Sequence, residues 1–530
     1  MTTNGSTTDA PSLFFADARE CKAWLGALAV SNAPQGMSTL LDALRVFNRT
    51  DFDPLERLKC LELLRERIAF MLGELRTRHF AKPQPLASGD AAAWTTALAV
   101  LAEMEAGYRK CLSEGALEAH AALVSQRIVR YLGLQMLLHG LAYRPFDEAL
   151  WGRLHQQYAV AEKAGHAQEK VKDSLDSDGG SSVVEAYARA VLLQAAGLNE
   201  MMPAQVAFTE AVLRQWMRKV QVVDRAPADA STSVCPVVVD LAASRGPAPA
   251  LAEALAPAQR VIDVEELTRS LKRRVRALQA GEDVATLGLP AEASAVEPLN
   301  ALQKLLKRWA EPAQRVPAAS APSSPSAGLV FGLPDIHFFL SGGKTFEQPG
   351  KERELSRQEK DDIAMFGRVT ERTQTIMAAT QVGMAAAPTF TVDPWSVIDE
   401  TVDSVRIKRG AYSRKGVVVG RLVALRLGDS APFMLGVVRS ILIEGETFVV
   451  TIGTLPGKPE PTAVRGAGPT WAQGLVLPAL EKLNVPRTFI VPGGTAHRGR
   501  PIHFWKDGDN SAKLQDVLER GADFDRVLVA

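Results

Sequence analysis

Apolar residues recur about every 3.6 residues along much of the first 225 positions. In Pro54–His79 they fall at Leu55, Leu58, Leu61, Leu63, Leu64 and Ile68, with charges on the opposite face, which predicts an amphipathic helix. Asp53 before Pro54 has the form of an N-cap followed by proline in the first turn. Similar periods over 93–113, 116–142, 147–165, 183–196 and 204–222 are separated by short breaks such as RPFD (144–147) and DSDGGSS (176–182). Residues 10–225 are therefore expected to form a domain of antiparallel helices with short connections.

From residue 226 the pattern changes. Residues 226–314 are expected to be an Ala/Pro-rich linker carrying short helices at about 263–281 and 296–310 and one isolated strand near Pro236–Leu241. The basic cluster Arg269, Lys272, Arg273, Arg274 and Arg276 runs all around the first of these helices, as on a solvated surface. Residues 315–328, RVPAASAPSSPSAG, lack an apolar anchor and predict a flexible linker. Beyond it come alternating, β-branched runs at 390–399, 405–410, 419–427, 433–455, 487–492, 500–505 and 524–530. Several short strands in succession predict a small antiparallel barrel. We place it at 329–465 with a preceding arm, and a β/α extension at 466–530. Helices are expected at 353–379 and 511–520. The fold class is α+β multidomain: an all-α helical-hairpin half, then a small antiparallel β-barrel.

Two helical segments, 142–166 and 182–197, resemble helical hairpins of the tetratricopeptide type, without a clean 34-residue period. Trp151, His155 and Tyr158 share one helix face, which reads as packing core.

Composition narrows the class. The 530 residues are 46% hydrophobic and 23% charged, as in a globular protein. The net charge of +1, from 61 basic and 60 acidic residues, makes dedicated nucleic-acid binding unlikely. The first residues lack the basic and apolar regions of a secretory signal, and no run approaches the ~18 apolar residues that would predict membrane insertion. Cys21, Cys60, Cys111 and Cys235 are far apart and read as small buried residues, with no metal site. A cytoplasmic location is expected. Leu340-Ser-Gly-Gly-Lys344 resembles a fragment of a phosphate loop but lacks its spacing, and reads as a loop start. No nucleophile–base pairing is evident, so an enzyme is not expected, nor a cofactor.

One constellation carries chemistry. Arg368 and Arg372 are separated by three residues, and beyond 26 intervening residues comes Asp399-Glu-Thr401-Val-Asp-Ser404 at the end of a strand. This pattern, with the strand runs 420–427 and 433–455, resembles the PilZ domain over roughly residues 360–465. That resemblance implies a bacterial receptor for cyclic di-GMP, a signalling protein whose helical half relays to a protein partner. It also implies a ligand site of Arg368, Arg372, Asp399, Thr401, Ser404 and Arg406. Arginine suits such a ligand: its fork binds phosphate or guanine O6 and N7 with paired bonds, and its plane stacks on a purine. Residues 406–421 carry Arg406, Lys408, Arg409, Arg414, Lys415 and Arg421 with no acid among them, so this face is expected to attract a dianion. Thr401 stands where the family has Ser. Ser404 stands where it has Gly, which predicts crowding, and Glu400 and Asp403 add negative charge. The alternative is a degenerate domain that no longer binds the messenger and serves as a protein–protein scaffold.

Overall fold

The structure, a computed structural model, describes the chain outside residues 1–13, 29–30, 114–117, 177–178, 225–236, 250–254, 312–318, 351–360, 363, 366–389, 411–415, 467 and 530. The expected helix at 353–379 lies almost wholly outside the described residues, as does Cys235. The chain divides into two compact units. The first comprises 1–316 with 410–418 and 440–448, and the second 317–409, 419–439 and 449–530.

The first unit is built on ten helices among the described residues: α1 (Ala18–Ala27), α2 (Ala33–Arg49), α3 (Pro54–Leu75), α4 (Ser88–Ser113), α5 (Ala121–Leu141), α6 (Glu148–Lys163), α7 (Val183–Ala195), α8 (Pro203–Trp216), α9 (Glu265–Gln279) and α10 (Pro298–Ala310). Several of their starts follow from side-chain capping. Asp53 accepts the amides of Leu55 and Glu56, both at 3.0 Å, with Pro54 in the first turn. At α7, Ser182 and Glu185 form a reciprocal capping box, with bonds of 3.2 and 2.9 Å. On α3, Leu58, Leu61, Leu64 and Ile68 are buried as their period predicts, whereas Leu55 is exposed. Helix α5 is central and packs on α4, α6 and α7. Trp151, His155 and Tyr158 are buried; His155 bridges the Tyr187 hydroxyl (2.7 Å) and the Arg245 carbonyl (2.9 Å), so this stripe is core.

A buried ionic network crosses this unit. Arg127 grips Glu62 with two bonds (2.9 and 3.0 Å) and reaches Asp173 at 2.9 Å. Asp173 also holds Arg65 and Arg130 and accepts the Leu175 amide. The network fixes a short ribbon, β1 (Val171–Lys172) with β2 (Gly180–Ser181).

The described residues of 226–314 are not a linker. Strands β3 (Gln221–Val223), β4 (Val237–Asp240), β5 (Ala248–Pro249) and β6 (Gln259–Asp263) form one sheet in the order β3-β6-β4-β5. Val239, Ile262, Leu267, Leu302 and Trp309 join the same hydrophobic core as α1–α8. The run near 237–241 is thus a paired strand. The Trp309 indole donates to the Leu192 carbonyl at 2.9 Å. The Ala and Pro content hid these anchors, which sit one or two per element. On α9 the basic residues are not uniformly solvated: the Arg274 guanidinium lies 4.3 Å from the Trp216 ring centre and donates to the Leu287 carbonyl.

The second unit holds strands β7 (Ser326–Phe331), β8 (Asp393–Glu400), β9 (Ser404–Gly410), β10 (Leu422–Leu427), β11 (Met434–Glu444) and β12 (Thr447–Thr454), the last two of which run into the segments grouped with the first unit. They close a six-stranded barrel in the order β10-β11-β12-β9-β8-β7. A second closed barrel follows, from β13 (Glu460–Arg465), β14 (Ala472–Leu477), β15 (Thr488–Pro492), β16 (Pro501–Trp505), β17 (Asp509–Arg520) and β18 (Phe524–Val529), in the order β13-β14-β15-β18-β17-β16. Helix α11 (Leu333–Leu340) contributes Leu333 and Ile336 to a core shared by Leu422 and Val437 of the first barrel and Leu475 and Phe524 of the second.

Three expectations are corrected here. The C-terminal segment is all-β rather than a β/α extension, and its second barrel begins at Glu460, inside the range expected for the first. Residues 511–520 form β17, not a helix, because pairing with β16 on one side and β18 on the other overrides their helix-favouring composition. Two register irregularities in β17 break the strict alternation that marks a strand in sequence. The described residues 319–328 are not free of structure: β7 begins at Ser326, and Ala327 is buried. Ser341–Gly343 form the C-terminal turn of α11, with the Gly342 and Gly343 amides donating to the Phe339 and Phe338 carbonyls, so the LSGGK segment closes a helix rather than opening an anion-binding one.

Candidate functional site

The expected site centres on the β8–β9 hairpin of the first barrel. Trp395 and Val397 on β8, and Val405 and Ile407 on β9, face the interior, as a period of two requires. Continued strictly, that period would turn Asp399 inward. Ile398 instead forms a one-residue irregularity between the pairs Val397↔Ile407 and Asp399↔Arg406. The extra residue reverses the phase and sets Asp399 beside the outward-facing Arg406.

Arg406 then holds Asp399 with two bonds, Nε to Oδ1 at 3.1 Å and Nη2 to Oδ2 at 2.5 Å. A carboxylate has about four acceptor positions, so this grip leaves roughly half of them for another donor. The Arg406 side chain remains half exposed.

Thr401 and Ser404 meet in the turn that closes the hairpin. Thr401 N–H donates to the Ser404 carbonyl at 2.8 Å, Ser404 N–H donates to Thr401 Oγ1 at 3.0 Å, and the two hydroxyls lie 2.7 Å apart. Thr401 also donates to Asp403 Oδ1 at 2.9 Å. Ser404 has no positive φ, so this backbone does not require glycine there. Its hydroxyl is engaged with Thr401 within the turn.

Glu400 has a role that its position beside an anion site did not suggest. One carboxylate oxygen accepts the Ser323 amide at 2.7 Å and the Ser323 hydroxyl at 2.8 Å, and its carbonyl accepts the Ser320 amide at 2.9 Å. It ties down the Ser-rich segment ahead of β7. The sequence signal was the serines of 320–324, which supply donors where apolar anchors are missing.

The basic face is also modified. Residues 406–421 contain no acid, but folding brings acids to them from elsewhere. Besides Arg406 with Asp399, Arg409 pairs with Asp393 and lies 4.2 Å from the Trp395 ring centre, and Arg421 is 3.6 Å from Asp523. Burial pushes the Arg409 pKa down, and Asp393 opposes that shift. Arg409 is therefore part of a buried Arg–Asp–Trp cluster rather than a free cation. Burial likewise raises the Asp523 carboxyl, against the Leu422 amide and Arg421. Lys408 stays exposed on β9.

Of the expected site residues, the structure brings Asp399 to Arg406 and Thr401 to Ser404. Arg368 and Arg372 lie outside the described residues, as do Arg414 and Lys415. Among the described residues no group of three His, Cys, Asp or Glu side chains could hold a metal ion. No described helix is long and apolar enough to cross a membrane.

The described chain is thus a helical region followed by two antiparallel barrels, with this hairpin on the first of them. Residues 19–228 match the family model for the N-terminal domain of the cyclic-di-GMP receptor FimW. The cyclic-di-GMP receptor FimW of Pseudomonas aeruginosa is 26% identical to this chain over 359 residues, covering 64% of this chain and 56% of that protein. The match thus spans little more than half the relative's length.

Proposed function

We propose that the chain is a non-enzymatic receptor for cyclic di-GMP that reads the messenger at the β8–β9 hairpin and relays it to a protein partner through its helical unit, in the cytoplasm. Its similarity to a cyclic-di-GMP receptor carries this reading. The hairpin chemistry supports it. Asp399 and the Thr401 hydroxyl present acceptors suited to guanine N–H groups, and Arg406 presents a half-exposed guanidinium to a phosphate. Arg368 and Arg372 precede this rim in sequence and would supply the second half of the grip, as bidentate donors to phosphate or guanine. Binding would favour one arrangement of that segment over others, and that bias is what a partner could sense.

A second reading has a specific observation in its favour. Arg406 engages both Asp399 oxygens, and the acids Glu400 and Asp403 stand in the same hairpin. A barrel in that condition serves as a docking surface without the messenger. Displacement of a fluorescent cyclic di-GMP from the full chain separates the two. Displacement by unlabelled cyclic di-GMP, and not by GTP or cyclic di-AMP, supports the receptor. No saturable binding at tens of micromolar ligand rejects it.

A further inference from the structure

The helical unit encloses a cleft of about 210 Å³ walled by α3, α5, α7 and α8, far along the chain from the barrel hairpin. Five arginines line it: Arg65, Arg76, Arg130, Arg189 and Arg214. Three have acidic partners. Arg65 is bound to Glu62 and Asp173, Arg76 to Glu210, and Arg130 to Asp173. Arg189 and Arg214 have no hydrogen bond or ion pair among the described residues. The lining acids are Glu210, already engaged by Arg76, and Asp176.

The arrangement leaves positive charge unbalanced at one place. Arg130 on α5 and Arg189 on α7 face the same space, and after burial, Arg189 is the next cause depressing the Arg130 pKa. Gly133 and Ala190 let these helices approach closely: a Cβ on Gly133 would come within 3.1 Å of the Ala190 Cβ. Two guanidiniums that line one space, on helices that pack closely, offer donors that a tetrahedral oxyanion could bridge. Leu72, Leu137 and Leu193 supply an apolar part of the wall.

We propose that this cleft is a second ligand site, for a small organic phosphate whose phosphate group bridges Arg130 and Arg189 and whose carbon portion lies on the leucine wall. Its volume of about 210 Å³ is small for a cyclic dinucleotide, which favours a monophosphate. The site lies within the segment that matches the receptor's N-terminal domain, so it would give the helical unit an input separate from that of the barrel.

The test uses the full chain and GMP as a probe of phosphate monoesters, with inorganic phosphate and guanosine as its two halves, at constant ionic strength. Saturable binding of GMP is expected in calorimetry, tighter than that of inorganic phosphate, with none for guanosine. The variant R189Q/R214Q removes no described ion pair. It should melt at the wild-type temperature without ligand and bind GMP at least about tenfold more weakly, the loss expected for removing charged hydrogen bonds. R406A should bind GMP as the wild type does. Absence of GMP binding into the millimolar range, or equal affinity in R189Q/R214Q, overturns the site. Equal affinity for GMP and inorganic phosphate overturns the organic part of the assignment.

Discussion

Arg406 and Asp399 face each other across the β8–β9 hairpin and share two hydrogen bonds, although strict strand alternation would put Asp399 on the opposite face. The irregularity at Ile398 makes the pairing possible. A half-exposed pair of this kind adds less than about 1 kcal/mol to stability. Arg406→Ala should therefore leave the denaturation midpoint nearly unchanged while weakening cyclic di-GMP binding about tenfold. Chemical denaturation and equilibrium binding on the same preparation check both halves.

Ser404 has no positive φ and so does not need glycine's backbone freedom, and its hydroxyl is part of the turn. Ser404→Gly should therefore not improve ligand affinity. It should destabilise the barrel by about 1 kcal/mol, through the lost hydrogen bond and the added freedom of the unfolded chain. A gain in affinity would instead show that the serine crowds the ligand.

Glu400 holds Ser320 and Ser323 through its carbonyl and carboxylate. Glu400→Ala should speed hydrogen exchange at the Ser323 amide and leave the strands of the second barrel unchanged. Uniform acceleration across both barrels would mean that Glu400 supports the whole unit.

Asp173 is fully buried among Arg65, Arg127 and Arg130. Asp173→Ala leaves those cations uncompensated and should cost about 3–5 kcal/mol, read as a fall in the melting temperature. Burial pushes the Asp173 and Glu62 carboxyls up, but the surrounding arginines outweigh it and hold both below their ordinary values. A carboxyl with a depressed folded pKa stabilises the fold above the unfolded pKa, about 3.9 for Asp and 4.3 for Glu, and loses that contribution as pH falls through the folded value. Acid unfolding of the wild type should thus steepen below about pH 4. A charge-free variant of the network should lack that dependence, as pH-dependent melting can show.

The helices were legible wherever caps and period agreed. Asp53 with Pro54 marked the start of α3, and the leucine spacing marked its buried face. The strands of the first barrel other than β7 were legible for a similar reason, since their runs are rich in β-branched and aliphatic residues such as Val405, Ile407, Leu422 and Val423. Three features were hidden. The strand β17 is written in helix-favouring residues and is held by its neighbours. The sheet within 221–263, and the joining of the two expected helices after it to the main core, were hidden because each element contributes single anchors such as Trp309 to a core assembled from distant positions. The partners of the basic run come from Asp393, Asp399 and Asp523, which no local spacing connects to Arg409, Arg406 and Arg421. The site pattern was visible as residue types, but the irregularity at Ile398 that sets Asp399 beside Arg406 leaves no mark in composition.

Titration calorimetry of cyclic di-GMP into the full chain, beside Arg368→Ala and Arg372→Ala, tests the central claim most directly. The receptor reading predicts saturable heat for the wild type at micromolar ligand and a loss of at least about tenfold in each variant, as expected for removing a charged bidentate contact. Heat that is absent in the wild type, or unchanged in both variants, contradicts it.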